Sequence, residues 1–237
     1  MNYKFNETQR IYLRGETNFR FADIDEQAYT SPGVMGLKPQ TGKSIEAGWG
    51  LIENDFSVRV DVYKLRLEDE IIFDGSAPKP IGGLFNGANV NADKSERNGV
   101  NVSGDFYATE DILLGFEYSF VDAEFTKGEN DGKKLPWVAR NTGRVFMTYD
   151  FDSQWQLFVE GVYTGSRYKE GDDQNISDRL SSYWLSNMAV NFTQDSWSAT
   201  LRVDNALDEK YPASVASYGA YYPGDGRKVM LTTAYHF

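Results

Sequence analysis

Along most of this chain apolar and polar side chains alternate with a period of two, the signature of a sheet with two unlike faces. Trp197, Ala199, Leu201 and Val203 alternate with Ser198, Thr200, Arg202 and Asp204. Val145, Met147, Tyr149 and Phe151 stand against Arg144, Thr148 and Asp150, and Phe56, Val58, Val60 and Val62 against Ser57, Arg59 and Asp61. In the last run Val229, Leu231, Thr233, Tyr235 and Phe237 share a face. The pattern predicts about ten strands, over roughly 8–20, 43–51, 56–73, 98–108, 112–126, 141–151, 155–168, 181–193, 197–206 and 226–237, with no convincing helix. An all-β antiparallel meander with nearest-neighbour pairing is the expected fold.

The connections sort by length. IEND (52–55), TED (109–111), DSQ (152–154) and QDS (194–196) are polar hairpin turns, whereas roughly 21–42, 74–97, 127–140, 169–180 and 207–225 are long and hold most of the prolines. Alternation of short turns with long loops is the pattern of an outer-membrane β-barrel.

Composition narrows the class. No window approaches the run of about 18 apolar residues that a spanning helix needs, and a mean hydropathy of -0.53 is too polar for a helical membrane bundle. The net charge of -11 argues against a nucleic-acid partner. With no cysteine there are no disulfides, thiolate metal sites or thiol nucleophiles. The start MNYKFNETQR has no apolar core of a signal peptide.

Alternation alone also fits a soluble β-sandwich with one wet face. Aromatic placement favours the membrane. Trp155 and Trp197 open strands beside short turns, Phe151 and Phe192 close them there, and Phe237 ends the chain, as in an interfacial girdle.

The run NALDEKYPASVASYGAYYPGDGRKVMLTTAYHF, Asn205 to Phe237, resembles the C-terminal signature of TonB-dependent outer-membrane receptors. Its first element is Asn205, Ala206, Leu207, Asp208, Glu209, Lys210, Tyr211; its second is Pro223, Gly224, Asp225, Gly226, Arg227; a last strand then ends in Phe. FRFADIDE (19–26), LKPQTGKSIEAG (37–48), NGVNVSGDF (98–106) and SFVDAEF (119–125) are similar to successive barrel strands and loops of those receptors.

The resemblance implies a transmembrane barrel of 22 strands with an N-terminal plug of about 150 residues inside it. Ten strands without a plug therefore imply a C-terminal part of such a barrel, spanning 1–237, as an open partial cylinder whose first and last strands each lack a partner. It implies residence in the outer membrane of a Gram-negative bacterium, among its lipids. The function implied is import of a scarce nutrient, most often a ferric siderophore, with energy from TonB acting through the plug. The polar face, with Arg59, Asp61, Arg144, Asp150, Arg202 and Asp204, would hold the plug. Phe237 and Tyr235 would serve as the signal read by the barrel-assembly machinery. Trp137, Tyr168, Tyr218, Tyr221 and Tyr222 are loop or loop-edge aromatics able to stack on a planar ligand or to anchor at the interface.

Catalytic constellations are not expected. His236 is the single histidine and has no cysteine or second histidine beside it. The acidic stretches EDEIIFD (68–74) and EGDDQNISD (170–178) lack EF-hand spacing and read as solvated loop charge, so no metal and no cofactor is expected. Two other functions stay open at this stage: a small autonomous barrel, structural or a passive pore, and an outer-membrane enzyme.

Overall fold

Residues 1–215 and 220–235 are described by the computed structural model. His236, Phe237 and Tyr218, all named above, lie outside the described residues. In chain order the strands are β1 (Asn2–Lys4), β2 (Gln9–Arg20), β3 (Gln40–Ile52), β4 (Phe56–Asp74), β5 (Ala88–Tyr107), β6 (Ile112–Lys127) and β7 (Asn141–Asp150). They continue with β8 (Trp155–Thr164), β9 (Tyr183–Gln194), β10 (Trp197–Asp204), β11 (Pro212–Val215), β12 (Tyr221–Pro223) and β13 (Lys228–Tyr235).

Eleven of them form one antiparallel sheet in the order β1 to β10 and then β13, while β11 and β12 make a separate hairpin in the last long loop. The expected meander is what forms, with β1 and β13 as its two unpaired margins. Two details differ. Asn2–Lys4 pairs with Arg10–Tyr12, so β2 does have a short partner. The cause is local: Asn6 Oδ1 accepts from the amides of Thr8 and Gln9, closing a hairpin. A five-residue helix, α1 (Ile24–Ala28), occupies the loop after β2. Asp23 accepts from the Glu26 amide while Glu26 accepts from the Asp23 amide, a capping box whose Asp-x-x-Glu spacing was present in the sequence.

β5 begins ten residues earlier than its apolar alternation predicts. Its first half, ANVNADKSER, is largely polar, yet its backbone pairs with β4 along its length and with β6 from Lys94 on. β8 stops at Thr164, short of the expected 168, because the Gly165 amide bonds the Asn141 carbonyl and Arg167 turns to bridge Leu180.

Each short turn has its own chemistry. Asp152 Oδ1 accepts from the Gln154 and Trp155 amides, Thr109 Oγ1 from those of Asp111 and Ile112, and Asp195 takes φ 49° in the two-residue turn before Trp197. At this end, rings on the apolar face pair across strands, Trp155 with Phe192 at 4.6 Å and Trp197 with Tyr235 at 4.9 Å, and along one strand, Tyr149 with Phe151 at 4.5 Å. Tyr163 and Trp184 pair at 5.1 Å toward the other end. Trp155 and Tyr163 are eight residues apart on one strand, about 27 Å along it and roughly 20 Å in height once tilted, so the two rings lie near the edges of an apolar band about 25 Å tall. The apolar face is open: Leu13, Val62, Val145, Trp184 and Leu231 are all exposed. No described helix is long and apolar enough to cross a membrane.

The buried cluster sits elsewhere, on the polar side at the long-loop end. There Ala123, Phe125 and Leu135 pack with Ile72, Ala92, Val121 and Val138, so the loop 128–140 folds over the sheet.

Candidate functional site

Period two puts Arg10, Tyr12, Glu46, Arg59 and Asp61 on one face of β2–β4, and three glycines of β3, Gly42, Gly48 and Gly50, open that face to larger neighbours. Tyr12 and Asp61 flank Gly48 in register. The Tyr12 hydroxyl is shared between the Glu46 and Asp61 carboxylates, Arg59 Nε donates to Asp61 at 2.7 Å, and Arg59 Nη2 donates to the Tyr12 oxygen at 3.2 Å. Arg59 and Asp61 are thus paired with each other and through Tyr12 to Glu46.

A second network covers the same face of β6–β10. Arg144 donates to Glu160 at 2.7 Å and to Glu117 at 3.1 Å, and its guanidinium lies 4.5 Å from the Phe146 ring. Asn187 also donates to Glu160, at 2.9 Å, and Arg202 reaches it at 3.9 Å while donating to Asp204 at 2.7 Å. Asp150 accepts from Gln156 at 2.8 Å. The six residues Arg59, Asp61, Arg144, Asp150, Arg202 and Asp204 all lie on this polar face, opposite Val60, Val145 and Val203. Sequence reasoning missed the partners that organise them, Tyr12, Glu46 and Glu160. The signal for Glu160 was present, since it sits two places from Phe158 on the inward parity of LFVEGVYT.

At the long-loop end the loops 128–140 and 165–182 are stapled together. Asn175 Oδ1 accepts from the Lys134 amide at 2.6 Å and its Nδ2 donates to the Lys134 carbonyl at 2.8 Å. The Trp137 amide donates to the Tyr168 carbonyl at 2.9 Å. Arg167, buried, stacks on Trp137 at 4.3 Å, and Arg179 stacks on Tyr168 at 4.8 Å. Trp137 and Tyr168 therefore share one cluster in which an arginine already covers each ring. Tyr221 and Tyr222 stand apart from it, exposed on β12.

The two acidic stretches meet here as well, and they are only partly solvated: Glu68, Glu170 and Asp178 are exposed. Glu70, Asp172 and Asp173 are buried. Asp69 at φ 51° turns Glu70 onto the inward face, where Arg97 and Ser95 hold it. Asp172 accepts from the Ile176 and Ser177 amides, but Asp173 Oδ2 has no hydrogen-bond partner among the described residues. No group of three or more acidic or histidine side chains there is arranged to hold a metal. Burial first, then Asp74 and Asp172, push the Asp173 carboxyl from its ordinary 3.8 up to about 7. Folding binds this proton more tightly than the open chain does. The loop therefore loses stability as pH rises from about 4 to about 7 and stays at the lower level above that. We expect Asp173→Asn to slow amide exchange of residues 169–178 severalfold at about pH 8, with no difference near pH 4; equal exchange at both pH values would refute the assignment.

The last long loop is organised by Asn205, 4% exposed and at φ 47°. Its Oδ1 accepts from the Glu209 amide at 2.8 Å, and its Nδ2 donates to the carbonyls of Glu209 and Asp225 at 2.9 and 3.0 Å. The Arg227 amide and Lys210 bond Asp208 and hold its carboxyl below the usual range. Tyr211 stacks on Tyr183 at 4.8 Å and covers Gly224. The Asn205–Tyr211 and Pro223–Arg227 elements thus form one loop base.

Comparison with known proteins agrees with this geometry. Residues 1–206 match the family described as TonB dependent receptor-like, beta-barrel. The chain belongs to that family. As in other TonB-dependent receptor barrels of Gram-negative bacteria, its place is the outer membrane. It is 26% identical over 213 residues to the ferric-pyoverdine 358 receptor of Pseudomonas putida, covering 85% of this chain and 24% of that protein. It is 25% identical over 224 residues to the vitamin B12 transporter BtuB of Vibrio vulnificus, covering 93% and 34%. The crystal structure of the ferric-catecholate import receptor Fiu from K12 E. coli superposes with a TM-score of 0.76 at 18% identity, over 100% of this chain and 34% of that one. The copper transporter OprC gives 0.80 at 14%, over 99% and 38%. The chain thus spans 24–38% of the length of these relatives, whose names are those of receptors and transporters.

In a receptor barrel the polar face is the lumen and the apolar face meets lipid. Tyr235, 46% exposed on that apolar face against Trp197, occupies a girdle position.

Proposed function

We propose that this chain is barrel wall of an outer-membrane active transporter that imports a scarce, bulky nutrient, a ferric siderophore first among the candidates, with energy supplied by TonB through a plug. The family match over residues 1–206 carries this reading. The lumen face supports it: Arg59, Asp61, Arg144, Asp150, Arg202 and Asp204 form a wet, charge-matched wall suited to a polar plug rather than to a packed core. The aromatics Trp137, Tyr168, Tyr221 and Tyr222 sit at the long-loop end, which we place outside the cell, with IEND, TED, DSQ and QDS in the periplasm. The terminal aromatic pattern around Tyr235 would serve the barrel-assembly machinery.

Two measurements test the reading. Uptake of a ⁵⁵Fe-labelled siderophore by cells whose only receptor contains this chain should fall to background when TonB is deleted; unchanged uptake would refute energised transport. Single cysteines at Glu170 and Asn54, both exposed, should react with an impermeant maleimide on intact cells at Glu170 only. Labelling at Asn54 alone would invert the topology.

A further inference from the structure

Arg167 is 6% exposed, yet its Nη1 has no hydrogen-bond partner and its guanidinium no ion pair among the described residues. The backbone fixes its place. The Arg167 amide donates to the Leu180 carbonyl at 3.3 Å and the Leu180 amide to the Arg167 carbonyl at 2.8 Å, which turns the chain beyond β8 back on itself. The side chain then lies 4.3 Å from the Trp137 ring and 5.7 Å from the Tyr183 ring. Those rings present electron-rich faces but no negative charge. A buried cation without a counter-charge is costly, and a hydrogen bond to a neutral group does not neutralise it.

The surroundings add to the imbalance. Arg167 lines a cavity of about 50 Å³ together with Lys134, Arg140 and Arg179, and Asp122 is the carboxylate among the lining residues. Lys134 already bonds Asp122 at 2.8 Å, and Arg140 lies 3.8 Å from it. Arg179 is exposed, stacks on Tyr168 at 4.8 Å and forms no ion pair among the described residues. The same loop carries Glu170, Asp172, Asp173 and Asp178, none of them ion-paired with either arginine among the described residues. Positions 216–219, 236 and 237, which are not described, bring no acidic side chain. A chain of net charge -11 has carboxylates to spare, so two arginines left unpaired beside one cavity point to a negative charge that comes from outside the chain.

We propose that this cavity binds one small free oxyanion, of the size of sulfate, phosphate or a monocarboxylate. A guanidinium offers two parallel donors to two oxygens of one group, a geometry that suits an oxyanion better than a spherical ion. Size sets the other limit. Pockets for drug-sized ligands measure about 300–1,000 Å³, so the bulky nutrient proposed above is too large for a cavity of about 50 Å³. Loop 128–140 supplies Lys134 and Arg140, and loop 165–182 supplies Arg167 and Arg179. The bound oxyanion therefore braces the two loops against each other, beside the bonds from Asn175 to Lys134 at 2.6 and 2.8 Å.

The test uses the full receptor containing this chain, purified in a non-ionic detergent and titrated calorimetrically with sodium sulfate, with sodium chloride at equal ionic strength as the control. Sulfate should bind saturably and slow amide exchange in residues 128–140 and 165–182 severalfold, while chloride does neither. Arg167→Gln should abolish the saturable binding. Arg179→Gln, at an exposed position, should weaken it about tenfold and keeps the test decisive if the buried substitution disturbs folding. Three results would each overturn the proposal: no saturation with sulfate in the unmutated receptor, equal effects of chloride, or full-strength sulfate binding in Arg179→Gln.

Discussion

Asn205→Ala should be the most damaging single change outside the lumen, lowering the stability of the folded barrel wall by about 2–4 kcal/mol. Three hydrogen bonds leave together, and with them a side-chain partner of the Glu209 amide and of two carbonyls at a site 4% exposed. Alanine is also a poor occupant of φ 47°, a conformation that asparagine and glycine tolerate. Asn205→Gly separates the two contributions by keeping the backbone freedom and losing the bonds. Asn205→Asp should be no better than alanine, because its carboxylate would face the Glu209 and Asp225 carbonyls where the amide now donates. The measurement is the midpoint of heat-modifiability on a gel together with proteolysis in the 207–225 loop. Wild-type midpoints in both Asn205→Ala and Asn205→Asp would exclude the clamp.

Gly48→Ala should lower stability by about 1–3 kcal/mol although it adds one methyl group. A Cβ at Gly48 would lie 2.0 Å from Tyr12 Cε1 and 2.3 Å from Asp61 Oδ1, distances no packed atom tolerates. The lumen is open, so the Tyr12 ring can swing away, but doing so abandons its bonds to Glu46, Asp61 and Arg59. The cost is therefore the network rather than the clash. Gly50→Ala is the matched control: it lies on the same strand and face, and its Cβ would meet nothing closer than Arg10 Nε at 3.6 Å. We expect it to be neutral or slightly stabilising, since alanine narrows the unfolded ensemble. Urea unfolding in detergent, followed by tryptophan fluorescence, reads both. Equal midpoints for the two variants would show that Tyr12 is not held by its network.

What the sequence by itself determined is the period-two architecture. Alternations such as Trp197 to Asp204 assign each side chain to lipid or lumen, because adjacent residues of a strand must point to opposite faces and only one face is apolar. The sorting of IEND, TED, DSQ and QDS from the long loops is equally local, and so is the run from Asn205 to Arg227 that resembles the family's C-terminal signature. The start of β5 escaped this reading. ANVNADKSER has only small apolar residues, Ala88, Val90 and Ala92, between its polar ones, and it is strand because β4 presents backbone partners along its length, joined by β6 from Lys94 on. The bonds at Asn205 escaped for a related reason, since Asp225 lies twenty residues away and meets it only when the loop base closes. Tertiary structure alone decided that Glu160 gathers Arg144, Arg202 and Asn187 from three strands. It also decided that Trp137 and Tyr168 are each covered by an arginine, and that Asp173 is buried near Asp74. A charged residue in an acidic stretch reads as solvated until the chain folds another segment over it. Whether its charge is matched depends on neighbours up to a hundred positions away, which no local pattern encodes.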